Sequence, residues 1–235
     1  RAATQENLRR EARERLLAGM AARMQSALAT PSPFVERLAH FWANHFAVST
    51  DKVAVVGLAG AFEADALRPH VLGRFEDLLA AATRHPAMLL FLDQPQSIGP
   101  RSVAALGAAR RDPAVRRGLN ENLAREILEL HTLGVRNGYT QDDVTEFARA
   151  LTGWGLDGEE DGGGFRFRPQ LHEPGTRVVL GRRYPAPGEA QSLDILRDLA
   201  RAPATARHIA FKLARHFVAD APPPAVVDRL AAAFL

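Results

Sequence analysis

Apolar side chains recur three and four residues apart through most of this 235-residue chain, and proline or glycine interrupts the rhythm before it can run on. That spacing is the period of one face of an α-helix, so it commits the chain to a mainly α-helical fold of amphipathic rods. The stretch TQDDVTEFARALTG is the clearest case. Thr140 stands as N-cap, Asp142 and Asp143 suit the positive end of the dipole, Val144, Phe147, Ala148 and Leu151 form one stripe, and Gly153 is the stop.

The same reading predicts a helix over 4–29, with Leu8, Ala12, Leu16, Met20, Met24 and Leu28 four apart, ended by TPSP. Further helices are predicted near 34–46, in FEADALRP, in GRFEDLLAAATRHP, in AMLLFLDQ and in GLNENLAREILELHTLGV. From 94 to 118 the pattern dissolves into glycine, proline, serine and five arginines, Arg101, Arg110, Arg111, Arg116 and Arg117, which reads as a flexible basic loop. DGEEDGGG reads as a flexible turn, FRFRP alternates with period two, and TRVVLGRRY is β-branched, so a small two-stranded β-ribbon is expected between 165 and 184. Helices resume at GEAQSLDILRDLA, PATARHIAFKLARHFVAD and after APPP. No fixed-period repeat is found, and the whole of 1–235 reads as one helical domain.

Composition removes several classes of function. Lys+Arg exceed Asp+Glu by 30 − 27 = 3, and because nearly all the bases are arginine the high pI of 9.9 reflects arginine's pKa rather than a dense positive field. No nucleic-acid partner is expected. Without cysteine there are no disulfides, zinc-thiolate sites or thiol nucleophiles. No apolar run approaches the roughly 20 residues of a membrane span. P-loop, dinucleotide fingerprint and G-x-S-x-G are all missing, and Glu121, Glu126 and His131, five apart, cannot share a face as a metal helix would require. No metal is expected, and the sequence leaves any cofactor open. The chain opens on Arg1 and stops inside a periodic run, so it reads as a piece of a longer protein, and a leader segment stays open.

Three histidines fall toward apolar faces when the helices are wound at about 100° per residue. His131 lies in the arc of Leu123, Ala124, Ile127, Leu128 and Leu130, His45 aligns with Phe34, Leu38 and Phe41, and His216 borders Ile209, Leu213 and Phe217, whereas His40 and His208 point away. One buried imidazole alone reads as a neutral ring bonded to a carbonyl. Several together, with carboxylates beside them, are expected to share one polar centre of His45, Glu121, Glu126, His131 and His172. There His131 would be the acid/base, Glu126 would orient it, and His172 of LHEPG would meet substrate.

The motifs FWANHF, RPHVLGRFEDLLAAATRHPAMLLFLDQPQSIGP, GLNENLAREILELHTLGVRNGYTQDDVTEFARALTGW, HEPGTRVVLGRRY and ATARHIAFKLARHFVAD occur here in order. In that register, over roughly 34 to 220, the chain resembles the bacterial proteins grouped as domain of unknown function 1800. The resemblance adds Arg125, Trp154 and Arg215 to His45 and Glu121 as residues expected to bind substrate. Its usual histidine-aspartate-proline-glycine turn is HEPG here, and the expected lysine after it is Arg177. It implies an exported, periplasmic protein encoded beside a sulfatase-like neighbour. Two readings stand side by side: a hydrolase or group-transfer enzyme on an extracytoplasmic substrate, or a non-catalytic partner or scaffold for that neighbour, with 101–117 as its contact surface.

Overall fold

A computed structural model describes residues 2–112, 118–158 and 163–235. Arg116, Arg117 and the middle of DGEEDGGG therefore lie outside the described residues. The chain is mainly helical with a small β part, and it clusters into two compact units, Arg1–Leu92 and Asp93–Leu235.

In the first unit α1 (Ala2–Ala29) packs on α3 (Val53–Val56) and α4 (Ala59–Ala61), which runs into a π-helical segment, Phe62–Leu67. α2 (Pro33–His45), α5 (Phe75–Arg84) and α6 (Pro86–Phe91) complete it. Its core gathers Phe41, Trp42, Phe46, Leu67, Leu78, Leu79 and Met88, all buried. The inward side of α1 is not the predicted four-apart row. Ala12, Leu16, Gly19 and Ser26 are half-buried, while Met20, Met24 and Leu28 are exposed. Each step of four residues advances about 40° around a 3.6-residue helix, so the row faces inward only near Ala12 and Leu16 and is exposed at Leu8 before them and at Met20 after them. Small residues take its place: a Cβ on Gly19 would stand 3.2 Å from the Gly60 Cα.

The second unit comprises α7 (Val103–Arg111), α8 (Asn122–Glu126) with a π-helical continuation Ile127–His131, α9 (Gln141–Leu151), two short sheets, α10 (Glu189–Ala200), α11 (Pro203–Phe217) and α12 (Pro224–Phe234). α7 occupies part of the stretch expected to be a loop, because Ser102 caps it, accepting from the Ala105 amide at 3.2 Å. α9 starts as predicted, with a reciprocal capping box: Asp143 N donates to Thr140 Oγ1 at 3.2 Å and Thr140 N to Asp143 Oδ2 at 2.8 Å.

The β part is two ribbons, not one. β1 (Trp154–Leu156) pairs antiparallel with β2 (Phe165–Phe167), and β3 (Arg177–Val179) with β4 (Arg182–Tyr184). Leu180 (φ 52°) and Gly181 (φ 75°) form a two-residue turn with both angles positive, which closes β3 on β4 and leaves the FRF strand to find Trp154–Leu156.

Candidate functional site

Past its last residue, Leu151, α9 gives way to Thr152 and Gly153, and the HEPG turn packs against that end. Gln94, buried, donates to the Leu151 carbonyl at 2.8 Å, and Thr152 Oγ1 donates to the Arg149 carbonyl at 2.6 Å, so two of the last turn's orphan acceptors are met. Thr152 then holds the HEPG turn through two bonds. Its hydroxyl accepts from the Glu173 amide at 2.7 Å, and its carbonyl lies 2.9 Å from His172 Nδ1. A carbonyl can only accept, so Nδ1 carries the ring proton and Nε2 is left as the acceptor.

Two glycines let the turn come this close. Gly99 donates to the Leu171 carbonyl at 2.9 Å, and a Cβ there would stand 2.6 Å from the backbone of Glu173. Gly153, at φ 89°, would set a Cβ 2.8 Å from the Arg168 carbonyl. Below the turn Glu173 is buried, its two oxygens accepting from Arg101 N and Nε, each at 2.7 Å. Arg177, also buried, donates to the carbonyls of Gly175 (3.2 Å) and Pro174 (2.8 Å) and to Glu146 (3.2 Å). A lysine could not span three acceptors in this fork, which explains how arginine serves at this position.

A cleft of about 410 Å³ opens here, lined by Arg101, His172, Gly175, Thr176, Pro185 and Gly188 among others. Burial lowers the His172 pKa from its ordinary 6.5; the Thr152 carbonyl opposes this and the Arg177 charge adds to it. The ring is therefore neutral at pH 7 with a basic Nε2.

Each of the five residues expected to share one polar centre has neighbours of its own. His45 belongs to the first unit, where it is buried among aromatic rings, its centroid 4.6 Å from that of Phe46 and 5.4 Å from that of Trp42. The other four belong to the second unit. Glu121 accepts from Thr145 (2.7 Å), Gln141 (2.8 Å) and Arg125 (3.1 Å), and the Thr145 bond leads in lowering its pKa. Glu126 is half-buried, its carboxyl raised by burial and by the Glu129 charge. His131 is 3% exposed, and burial, seconded by the Lys212 charge, pulls its pKa down to about 3. His172 keeps the company already described.

Of the remaining substrate-binding expectations, Arg125 bonds Glu121 and Gln141, Trp154 is buried against Phe165 at 5.2 Å between ring centroids, and Arg215 is exposed. On α11 the expected orientations exchange: His216 is exposed and His208 half-buried. The helix packs through Thr205, Ala206, Ile209, Ala210 and Ala214, a face of small residues that hydropathy underweights. Among the described residues no group of three or more His, Asp or Glu is placed to hold a metal ion. Among them, too, no helix is long and apolar enough to cross a membrane.

Sequence reasoning passed over Thr152, Gly99 and the Arg101–Glu173 pair. Gly99 stood in QSIGP, Arg101 just after it and Glu173 in HEPG, but nothing in the sequence brings together Arg101 and Glu173, 72 positions apart. A family model described as "Protein of unknown function (DUF1800)" matches residues 1–235. No curated protein and no solved structure matches the chain.

Proposed function

The chain belongs to the DUF1800 family, which leaves its activity to be read from the site, and we propose that it is a hydrolase or group-transfer enzyme with His172 as its general base. The observation that carries this reading is the His172 Nδ1 bond to the Thr152 carbonyl beside an open cleft. A ring held in one tautomer and kept neutral presents a basic Nε2 that can take a proton from a water or hydroxyl attacking an ester-like centre. Arg101, anchored by Glu173, sets a positive charge at the same cleft to meet an oxyanion as it forms. His131 and Glu126, first expected as the acid/base pair, are not among the residues that line this cleft, and a ring neutral down to about pH 3 is a poor proton donor near neutrality. The family resemblance to an exported group supports an extracytoplasmic substrate.

The test is a panel of chromogenic nitrophenyl esters, phosphates and sulfates with wild type and His172→Gln. Turnover of at least one class is expected, with kcat reduced at least about 100-fold in the variant and the far-UV circular dichroism unchanged. No turnover of any class, or equal turnover by the variant, contradicts the proposal.

One observation favours a second reading. α1 exposes Leu17, Met20, Met24 and Leu28 in a row, which suits a non-catalytic partner of the sulfatase-like neighbour that the resemblance implies. Co-purification with that neighbour, lost in Met20→Glu/Met24→Glu but kept in His172→Gln, is the expected result. Co-purification unaffected by the α1 charges contradicts it.

A further inference from the structure

A second cleft, of about 530 Å³, lies elsewhere in the second unit, between the segment Leu133–Asn137 and the first turns of α11 and α12 at Ala204 and Pro224. Its polar lining is of one sign. Arg136 and Arg207 supply its charge, His208, its pKa lowered by burial and by the Lys212 charge, adds a neutral ring, Asn137 adds an amide, and among the described residues no acidic side chain lines it. Arg207 Nη1 donates to Asp228 at 2.6 Å on the exposed rim, which occupies one amino group of its guanidinium. The charge of half-buried Lys212 lowers the pKa of both His208 and His131. The rest of the lining is apolar, with Phe211, Val135 and Val227 prominent.

The backbone is shaped for close approach. Gly134 and Gly138 have φ of 98° and 82°, and Arg136 between them is held at φ 55°, a region a long side chain enters only when its surroundings require it. Gly134 lies so near His208 that a Cβ would meet its Nδ1 at 3.0 Å. The loop thus seats directly on the imidazole and sends Arg136 to the cleft.

We infer that this cleft binds a small organic anion, a carboxylate or phosphate monoester carried on an apolar body, with Arg136 and Arg207 on the charged end and Phe211 and Val227 on the other. Positive groups at the edge of a partly dry cleft hold an anion more strongly than they would in open water, and the apolar wall selects against inorganic ions. The site is independent of the HEPG cleft and stands whether or not His172 is catalytic.

The experiment is calorimetric titration of the whole chain with phenyl phosphate, inorganic phosphate and benzyl alcohol. Phenyl phosphate is expected to bind saturably, more weakly as salt rises, with inorganic phosphate about tenfold weaker and benzyl alcohol not binding. Arg136→Glu, an exposed position that leaves the core intact, is expected to abolish binding, and His172→Gln to leave it unchanged. Three results overturn the inference: no saturable binding of phenyl phosphate at millimolar concentration, binding unaffected by Arg136→Glu, or inorganic phosphate binding as tightly as phenyl phosphate.

Discussion

His131 and His172 carry the same ring, and burial separates what they can do. His131, sealed in the core, has a folded pKa of about 3 against an unfolded 6.5, so the unfolded chain binds the extra proton between those values. Its contribution to stability is complete above pH 6.5 and declines as pH falls toward 3. A His131→Gln variant should therefore lose less stability between pH 7 and pH 5 than wild type, measured by urea unfolding; parallel losses would contradict this. His85 obeys the same logic, since its Nδ1 accepts from the Ala87 amide at 3.1 Å to cap α6 and burial lowers its pKa. Glu36 has the opposite sign. Arg68 bonds both its oxygens, at 2.8 and 2.6 Å, and holds its pKa near 2, so this contribution is present above pH 4.5 and lost as pH falls through 2. Glu36→Gln should cost about 2 kcal/mol at pH 7, read from the same unfolding curves. Periodicity placed His131 and His45 inside correctly but does not mark Glu36 as buried, because its cover comes from Ser26 of α1 and from Arg68, neither of which a local pattern can foresee.

Helix existence was legible at most elements, α3, α4 and α7 being missed, and the other departures have local causes. The turn Ile127–His131 widens to i→i+5 bonding, which swings Leu130 out to 45% exposure while keeping His131 inside; an even 3.6-residue winding counts both as inward. At the β3–β4 turn Leu180 sits in the left-handed region, where a branched side chain is strained. Leu180→Asn should stabilise the chain by about 1 kcal/mol, seen as a raised urea midpoint; a lowered midpoint would count against the turn as described. Gly99→Ala tests the opposite case. Its new Cβ has only Glu173 backbone to move, so the variant should lose about 1–3 kcal/mol and the His172–Thr152 bond with it, whereas an unperturbed variant would show that the turn does not depend on this approach.

Across the whole chain, mainly helical architecture with a small β part comes from periodicity and turn chemistry, and the family from the order of its motifs. A shared polar centre cannot be read from periodicity, because a helical wheel gives faces and not distances: it says that His45 and His131 avoid water without saying that they meet. What decides the candidate site is a set of contacts from distant sequence, Thr152 with His172, Gly99 with Glu173 and Arg101 with Glu173, each set by backbone shape. The proposed chemistry rests on His172 being a neutral ring with its proton on Nδ1. Long-range 1H–15N NMR of the His172 ring reads that directly. At pH 7 the spectrum should show the neutral Nδ1–H tautomer, giving way to the imidazolium only below pH 6.5, whereas an Nε2–H tautomer or a charged ring at pH 7 would contradict it.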